Sequence, residues 1–348
     1  MVNERAIQLR EIAEFISTLP HLTSRYSDIE FIDNVYEMGQ NSVVLRARDG
    51  RRPVILKFDG PWNNPQRRAY FEREYSLMRE LSGKDGIIQL RGDLEKIELD
   101  TRAVEDGPSL PYVISYFPME VARVDLATLI YLRNRKQSVI RILIMFQSLC
   151  RSLKVLHENS ICHRDLKPSN IFVNNTKNVK IGDLGCARKL GEGVTSLFEV
   201  YSGPRGDARY IPLELLCTVG ECDEAFLNGD FYGLGAVLFE MITGKIYGEY
   251  VFSLEYLLRL REAFKVARPP DKEDVFNNLL PDIIEAYPQP SLSDLTGDIP
   301  ASIRKNLDRL YMRLTEIRAE KRLIDVNIVI GSLEIMIRRL RFDLRSRF

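Results

Sequence analysis

The sequence predicts an α+β protein in which a strand-rich first part precedes a mainly helical second part. Residues 54–57 read Val-Ile-Leu-Lys, a short apolar run typical of a buried strand. Residues 71–81 carry apolar side chains at helical spacing, and residues 139–157 have the length and composition of a long helix. The order of these segments favours strands up to about residue 116 and helices from Asp125 onward.

The first residues of the chain have the pattern of a separate helix. Ile12, Ile16 and Leu19 fall on one face of residues 3–19, and Pro20 ends the pattern. We expect this amphipathic helix to pack on the strand-rich part, although the same apolar face is also suited to binding a partner.

Composition and charge limit the kind of protein. A formal net charge of zero gives no strong nucleic-acid signal. The five cysteines show neither metal-ligand spacing nor a disulfide framework, which predicts reduced thiols. Because the chain has no run of about 18 or more apolar residues and no signal-peptide core, we expect no transmembrane segment and a cytoplasmic location.

The most specific signal is a string of eight residues, 163–170, that reads His-Arg-Asp-Leu-Lys-Pro-Ser-Asn. Asp183, Leu184 and Gly185 begin thirteen residues after Asn170. Asp-Leu-Gly alone is an ordinary turn, but both strings at this separation are hard to reach by chance. Together they resemble the catalytic loop H-R-D-L-x-x-x-N and the metal-binding turn D-F-G of the eukaryotic-type protein kinase family. The resemblance implies a bilobal protein-kinase-like fold, with a small β-rich N-lobe that carries a helix C and a larger, mainly helical C-lobe.

The resemblance assigns chemistry to four side chains of these strings. Asp165 would accept the proton of a substrate hydroxyl, and Lys167 would contact the transferred phosphate. Asn170 and Asp183 would hold Mg²⁺, a hard cation that prefers oxygen ligands and phosphates. The implied cofactors are ATP and Mg²⁺, and the implied reaction is transfer of the γ-phosphate to protein hydroxyls. In the family that these strings resemble, a lysine at the position of Lys167 is the signature of the serine/threonine-specific members.

The resemblance further predicts an ion pair in the N-lobe. Lys57 ends the strand 54–57, and Glu74 follows it by seventeen residues, as the family's helix C glutamate does. A Lys57–Glu74 pair would hold the lysine toward the α- and β-phosphates of ATP. The alternative is that both are solvated charges on a strand edge and a helix face.

The phosphate-covering loop is the place where the chain departs from the family. The pattern G-x-G-x-x-G-x-V falls on residues 37–44, where only Gly39 of the three glycines remains, with Glu37 and Ser42 at the other two positions. Glycine is used in such loops because the backbone N–H groups must approach phosphate closely. We expect Gly39, Ser42 and Val44 to contribute to ATP binding, with a weakened hold on the nucleotide.

Two segments downstream resemble those of protein kinases more than those of small-molecule phosphotransferases. Residues 206–214 resemble G-T-x-x-Y-x-A-P-E, with Asp207 in place of threonine. Arg322 stands where the family has the arginine that pairs with the last glutamate of that segment, here Glu214. Residues 230–235 resemble D-x-W-S-x-G. These similarities favour a protein substrate.

The segment between the metal-binding turn and Glu214 has the length of an activation segment. Arg164, before the predicted base, marks family members that are often switched by phosphorylation there, because an arginine beside a catalytic carboxylate needs an anion to hold it. We therefore expect autophosphorylation. The candidate acceptors are Thr195, Ser196, Tyr201 and Ser202.

The resemblance divides the 348 residues into an N-terminal helical extension, 1–32, an N-lobe, 33–118, a C-lobe, 119–337, and a basic tail, 338–348. Residues 269–300, rich in proline and acidic side chains, suit partner docking or a long irregular connection. The tail is suited to an anionic lipid, a nucleic acid or an acidic partner, or is a solvated helix end.

Two other functions stay open at this point. The altered glycine loop and the altered stretch 206–214 favour a pseudokinase, a scaffold or nucleotide-binding module that has kept the fold. A small-molecule phosphotransferase is the third possibility. The presence of all the predicted catalytic and metal-binding side chains favours the active serine/threonine protein kinase, because pseudokinases commonly lose one of them.

Overall fold

The computed structural model describes residues 2–32, 42–59, 65–99, 113–132, 138–191, 206–219, 222–266 and 269–346. The chain divides into two compact units, Met1–Lys84 with Ile88–Ala122, here called the N-lobe, and Asp85–Ile87 with Arg123–Phe348, here called the C-lobe. The N-lobe holds an antiparallel sheet and the C-lobe most of the helices, so the predicted α+β fold class is confirmed.

The N-lobe is built around a five-stranded antiparallel sheet with strand order β1-β2-β3-β5-β4. Its elements, in chain order, are α1 (Val2–Ser17), α2 (Pro20–Thr23), β1 (Tyr26–Phe31), β2 (Ser42–Asp49), β3 (Arg52–Asp59), α3 (Pro65–Glu80), β4 (Glu95–Glu98) and β5 (Val113–Glu120).

Both faces of the central strand β3 are covered, which explains why its sequence is a continuous apolar run. Successive side chains of a strand point to opposite faces. Leu56 and Phe58 belong to the core cluster that includes α1, whereas Lys57, between them, is bonded to Glu74 of α3. On the same side as Lys57, its neighbour Phe117 of β5 contacts α3. The sheet therefore lies between α1 and α3.

The N-terminal helix α1 is part of the N-lobe core. Ile12 and Ile16 are fully buried and pack in one cluster with Leu45, Leu56 and Tyr116 of the sheet. Burying a side chain of this size stabilises the fold by about 1.5–3 kcal/mol. The prediction of an amphipathic helix packed on the strand-rich part is confirmed, and the segment 1–32 is not separate from the compact unit of the sheet.

The C-lobe has two small sheets, of two and three strands, and ten α-helices among its described residues. Its elements, in chain order, are β6 (Val124–Asp125), α4 (Leu126–Tyr131), α5 (Val139–Glu158), β7 (Ile161–Cys162), β8 (Ile171–Asn175), β9 (Asn178–Ile181), β10 (Arg188–Lys189), α6 (Leu213–Leu216), α7 (Asp223–Thr243), α8 (Tyr247–Phe252), α9 (Leu254–Val266), α10 (Pro269–Ala286), α11 (Leu292–Leu295), α12 (Arg304–Leu314) and α13 (Val326–Arg345).

Helix α7 is the centre of the C-lobe. Sixteen of its residues are buried, from Phe226 to Ile242, and a helix that is apolar all round belongs in a core. Gly235 allows α12 to approach closely, since a Cβ at this position would lie 2.7 Å from Leu314 Cβ. A helix buried this completely is a rigid support for any loop that is hydrogen-bonded to it.

Two predictions for the second half of the chain need correction or restatement. Residues 269–300 are not a long irregular connection, because α10 and α11 form within them, and helix α10 accommodates its internal Pro281. The basic residues 338–345 are not separated from the preceding chain, because α13 runs without interruption from Val326 to Arg345. Among the described helices, none combines the length and apolar character needed to cross a bilayer.

The packing of α1 predicts that truncating its buried face destabilises the protein. Ile16→Ala should lower the free energy of unfolding by about 2–5 kcal/mol, the usual cost of a core truncation. Denaturant unfolding followed by circular dichroism measures this. Glu11→Ala, on the exposed face of the same helix, is the control and should change stability by no more than about 0.5 kcal/mol. A small loss for Ile16→Ala would mean that α1 is dispensable to the core.

Candidate active site

The loop that carries the predicted base is attached to α7 by a single buried carboxylate. Asp230 accepts hydrogen bonds from the backbone N–H groups of His163 and Arg164, each at 2.8 Å. His157 of α5 donates to the same carboxylate through Nε2 at 2.9 Å. Burial opposes the charge of Asp230, but the hydrogen bond and charge of His157 and the backbone donors hold its pKa below the ordinary value. The residue before the base is therefore fixed in place.

The backbone of this loop is in an unfavourable conformation, which the hydrogen bonds to Asp230 stabilise. Arg164 has a φ of 66°, in the left-handed region that non-glycine residues rarely adopt. Gly206 packs directly against the loop, where a Cβ would lie 2.5 Å from the carbonyl oxygen of Arg164. The loop is thus held by α7 on one side and by the start of segment 206–214 on another.

The carboxylate of Asp165 is oriented by three neighbours. The Asn170 side chain donates to Oδ2 at 3.1 Å, and Lys167 Nζ lies 3.2 Å from the same oxygen. The backbone N–H of Asp207 donates to Oδ1 at 2.8 Å. The backbone N–H of Asp165 in turn donates to Nδ1 of His163 at 3.2 Å. The structure therefore brings together three of the predicted catalytic side chains, Asp165, Lys167 and Asn170.

The surroundings of Asp165 favour a proton acceptor. Burial raises its pKa above the ordinary value, and the nearby carboxylate of Asp183 adds to the increase, whereas Lys167 and His163 act in the opposite direction. A carboxylate with a raised pKa takes up a proton more readily, which suits a general base. This effect of Asp183 on the pKa of Asp165 indicates that the two carboxylates are close enough to repel each other.

The metal-binding turn is tied to the catalytic loop through the backbone. The N–H of Gly182 donates to the carbonyl of Asn170 at 3.0 Å, and Nε2 of His163 donates to the carbonyl of Gly182 at 3.0 Å. Asp183 has a φ of 54°, and Leu184, next in the chain, is buried at the start of a short 3₁₀ turn. Asn170 and Asp183 are consequently held on neighbouring backbone segments.

The donor set of this region fits a hard divalent cation. Asn170 uses its amide nitrogen on Asp165, and no described residue donates to its Oδ1. Asp183 adds a carboxylate beside the negative Asp165. Mg²⁺ usually takes one or two carboxylates from the protein and completes its shell with water and phosphates. In the described part of the chain no three His, Cys, Asp or Glu side chains cluster as a metal site.

The predicted ion pair of the N-lobe is formed. Lys57 Nζ lies 2.6 Å and 2.7 Å from the two carboxylate oxygens of Glu74. The side chains are only 8% and 4% exposed, so the alternative of two solvated surface charges is wrong. Val44 of β2 pairs with Lys57 across the sheet, and Ser42 begins the same strand. Glu37 and Gly39 lie outside the described residues.

Segment 206–214 ends at Glu214, which forms a buried ion pair with Arg322. Arg322 donates to Glu214 at 2.6 Å, with side-chain exposures of 0% and 9%. This is the pair that the sequence predicts. Asp207, which replaces the family's threonine, binds Arg209 of the same segment through both carboxylate oxygens, at 2.8 and 2.6 Å. The four candidate phosphate acceptors of residues 195–202 lie outside the described residues.

Sequence reasoning missed two functional contacts. Asp230 was singled out only as the first residue of a family motif, and its bonds to the catalytic loop were not predicted. His157 was placed only within a helix. The available signal is an aspartate within the largely apolar stretch 225–242, since a charge in such a helix requires donors from elsewhere in the fold.

Comparisons with known proteins agree with this geometry. The family model described as protein kinase domain matches residues 38–296. Mitogen-activated protein kinase 4 of Rattus norvegicus is 28% identical over 282 residues, which cover 77% of this chain and 91% of that protein. Mitogen-activated protein kinase HOG1 of Ustilaginoidea virens is 29% identical over 67% of this chain and 58% of its own length. A probable serine/threonine-protein kinase PknB of Corynebacterium glutamicum is 28% identical over 65% of this chain and 33% of its own length.

The family model covers well over half of the chain, and the chain therefore belongs to the protein kinase family. The prediction that the chain belongs to the eukaryotic-type serine/threonine kinase family is confirmed. Several relatives are much longer, and the match spans about a third of the PknB protein and under two thirds of HOG1.

The buried Glu214–Arg322 pair predicts that removing one partner destabilises the protein more than replacing both. Arg322→Ala should lower the free energy of unfolding by about 3–5 kcal/mol, because it leaves Glu214 buried without its partner. The double change Glu214→Leu with Arg322→Met should cost less than the single one, since no charge is left unpaired. Denaturant unfolding measures both, with the exposed Arg313→Ala of α12 as control. An equal or larger loss in the double variant would contradict this account.

Proposed function

We propose that the protein is a serine/threonine protein kinase that transfers the γ-phosphate of ATP, bound with Mg²⁺, to protein hydroxyls. The observation that carries this proposal is the oriented carboxylate of Asp165, held by Asn170, Lys167 and the Asp207 N–H beside the carboxylate of Asp183. In a member of the protein kinase family, these are the groups that phosphoryl transfer requires.

The chain's own side chains have separate roles in this reaction. Asp165 orients the acceptor hydroxyl and takes its proton, for which its raised pKa is suited. Lys167, fixed next to Asp165, supplies positive charge where the transferred phosphoryl group carries negative charge. Asn170 and Asp183 would hold Mg²⁺, which compensates the charge of the phosphates when bound. Positioning and charge compensation supply most of the catalysis in reactions of this class.

ATP binding would use the N-lobe. Glu74 holds the ammonium group of Lys57 in a fixed position, as required for a contact with the α- and β-phosphates. Ser42 and Val44 lie on the strand that pairs with the strand of Lys57, and Gly39 precedes them in the chain. With two of the three usual glycines replaced, the affinity for ATP is expected to be lower than is typical of the family.

A protein is favoured over a small molecule as the acceptor. The Glu214–Arg322 pair holds segment 206–214 against the core of the C-lobe, and the Asp207–Arg209 pair fixes the conformation within the segment. Such a braced segment provides a fixed platform on which a peptide can lie. The altered glycine loop and the altered sequence of residues 206–214 support the pseudokinase alternative, whereas Lys57 and Glu74 keep the pairing that an active enzyme requires.

Autophosphorylation is part of the same proposal. Arg164 stacks on the ring of Phe226 with its guanidinium carbon 4.1 Å from the centroid, and Arg188 does so at 5.2 Å. Two guanidinium groups beside one ring form a basic site close in sequence to the candidate acceptors of 195–202. A phosphate on that segment would add an anion to this site.

We also propose a cytoplasmic location and a docking role for residues 269–300. All five cysteines are free, and burial raises the pKa values of Cys150, Cys162, Cys186 and Cys217, which suits unreactive thiols in a reducing compartment. Helix α10 exposes Val275 and Leu279 one turn apart, a face that suits a protein partner.

The proposal predicts the effect of one isosteric change. Asp165→Asn should lower the rate of ³²P transfer from Mg-ATP to a basic protein acceptor by about 10²–10⁴-fold, because the amide cannot take up the hydroxyl proton. Phosphoamino acid analysis should show phosphoserine or phosphothreonine, and label on the chain itself would report autophosphorylation. Asp85→Asn, an exposed aspartate in a turn of the C-lobe unit, should keep the wild-type rate.

Two results would contradict the proposal. One is protein labelling that is unaffected by Asp165→Asn. The other is nucleotide binding without any protein labelling by the wild type, which would support the scaffold alternative. Label on metabolites alone would instead support a small-molecule phosphotransferase.

A further inference from the structure

The C-terminal helix α13 lies outside the matched kinase domain, which ends at residue 296, yet it is packed firmly on the C-lobe. Lys154 of α5 donates to Asn327 at 2.8 Å, and Ser302 donates to Asp343 at 2.5 Å near the other end of the helix. The buried residues of α13 form one face and are Val326, Val329, Leu333, Met336, Ile337 and Leu340. The opposite face of the helix is therefore directed to solvent.

That outer face carries large apolar side chains at regular spacing. Ile328, Ile335 and Phe342 are 46%, 62% and 72% exposed, and each follows the last by seven residues, or about two helical turns. Isolated exposed apolar residues are ordinary, but a row along one helix indicates an interaction surface.

The same face is strongly basic toward its end. Arg338, Arg339, Arg341 and Arg345 are exposed, and no described carboxylate forms an ion pair with any of them. Asp343, the one acidic side chain among them, receives the hydrogen bond from Ser302. The last three turns of α13 thus combine uncompensated positive charge with exposed Phe342 and Ile335.

We propose that this outer face of α13 docks on an anionic lipid bilayer, with the helix lying in the plane of the headgroups. Arginines attract anionic headgroups, while apolar side chains of the same helix enter the boundary between headgroups and acyl chains. The cytoplasmic leaflet carries this negative charge. The surface is distinct from the residues of the catalytic loop and does not depend on the proposed kinase activity.

A nucleic acid and a second copy packed in parallel would each match only part of this surface. A nucleic acid would pair with the arginines but leave Ile335 and Phe342 in water. A second copy would cover the apolar row, but a parallel pair of helices would bring the arginines of both copies together, which is unfavourable. A lipid surface satisfies both the charge and the apolar row.

Co-sedimentation of the full-length protein with vesicles tests the proposal. We expect binding to phosphatidylcholine vesicles that contain phosphatidylserine, weak binding to phosphatidylcholine alone, and loss of binding as salt is raised. Arg338→Gln with Arg339→Gln should weaken binding about twentyfold, because each cation near such a surface contributes roughly a fivefold increase. Phe342→Ser should also weaken binding.

The control removes the same charge elsewhere. Arg259→Gln with Lys265→Gln, on the exposed face of α9, should leave vesicle binding unchanged. All variants replace exposed side chains, and unchanged unfolding curves together with unchanged phosphate transfer confirm that they remain folded.

Three outcomes would overturn the proposal. They are absence of binding to phosphatidylserine vesicles, equal weakening by the α9 control, and a concentration-dependent dimer that Phe342→Ser dissociates while lipid binding is absent. The last would assign the surface to a second copy. None of these outcomes bears on the kinase activity, which is measured separately.

Discussion

The position of the catalytic loop depends on the buried charge of Asp230. A carboxylate removed from water costs several kcal/mol unless donors compensate it, and this one has the N–H groups of His163 and Arg164 and the ring of His157. The left-handed backbone of Arg164 costs a further one or two kcal/mol or so, which the same bonds offset. Helix α7 thereby fixes the backbone immediately before Asp165.

The remaining contacts act on the side chain of Asp165. Asn170, Lys167 and the Asp207 N–H each restrict one part of its carboxylate, so that the proposed base, the candidate metal ligands and the start of the proposed substrate platform are held together. The Glu214–Arg322 pair secures the far end of that platform. In the N-lobe, the Lys57–Glu74 pair fixes the proposed nucleotide-binding lysine through a buried ion pair between a strand and a helix.

Features with a local pattern could be predicted from the sequence, whereas features that depend on distant donors could not. The helix α1, the Lys57–Glu74 pair and the Glu214–Arg322 pair follow from helical periodicity or from motif spacing. The role of Asp230 could not be predicted, because its partners lie more than sixty residues away. Helix α10 could not be predicted from its sequence because it contains prolines. Those of its first turn are well tolerated in a helix, whereas Pro281 lies in the interior, where proline usually ends or bends one.

Amide hydrogen exchange in the loop tests most directly whether Asp230 fixes it. Peptides covering residues 161–166 should exchange about tenfold or more faster in Asp230→Asn than in the wild type, while α5 keeps its protection. Glu224→Gln, an exposed change on α7, should leave the loop unaffected. Unchanged exchange of 161–166 in Asp230→Asn, together with a wild-type rate of phosphate transfer, would show that the loop does not depend on this carboxylate.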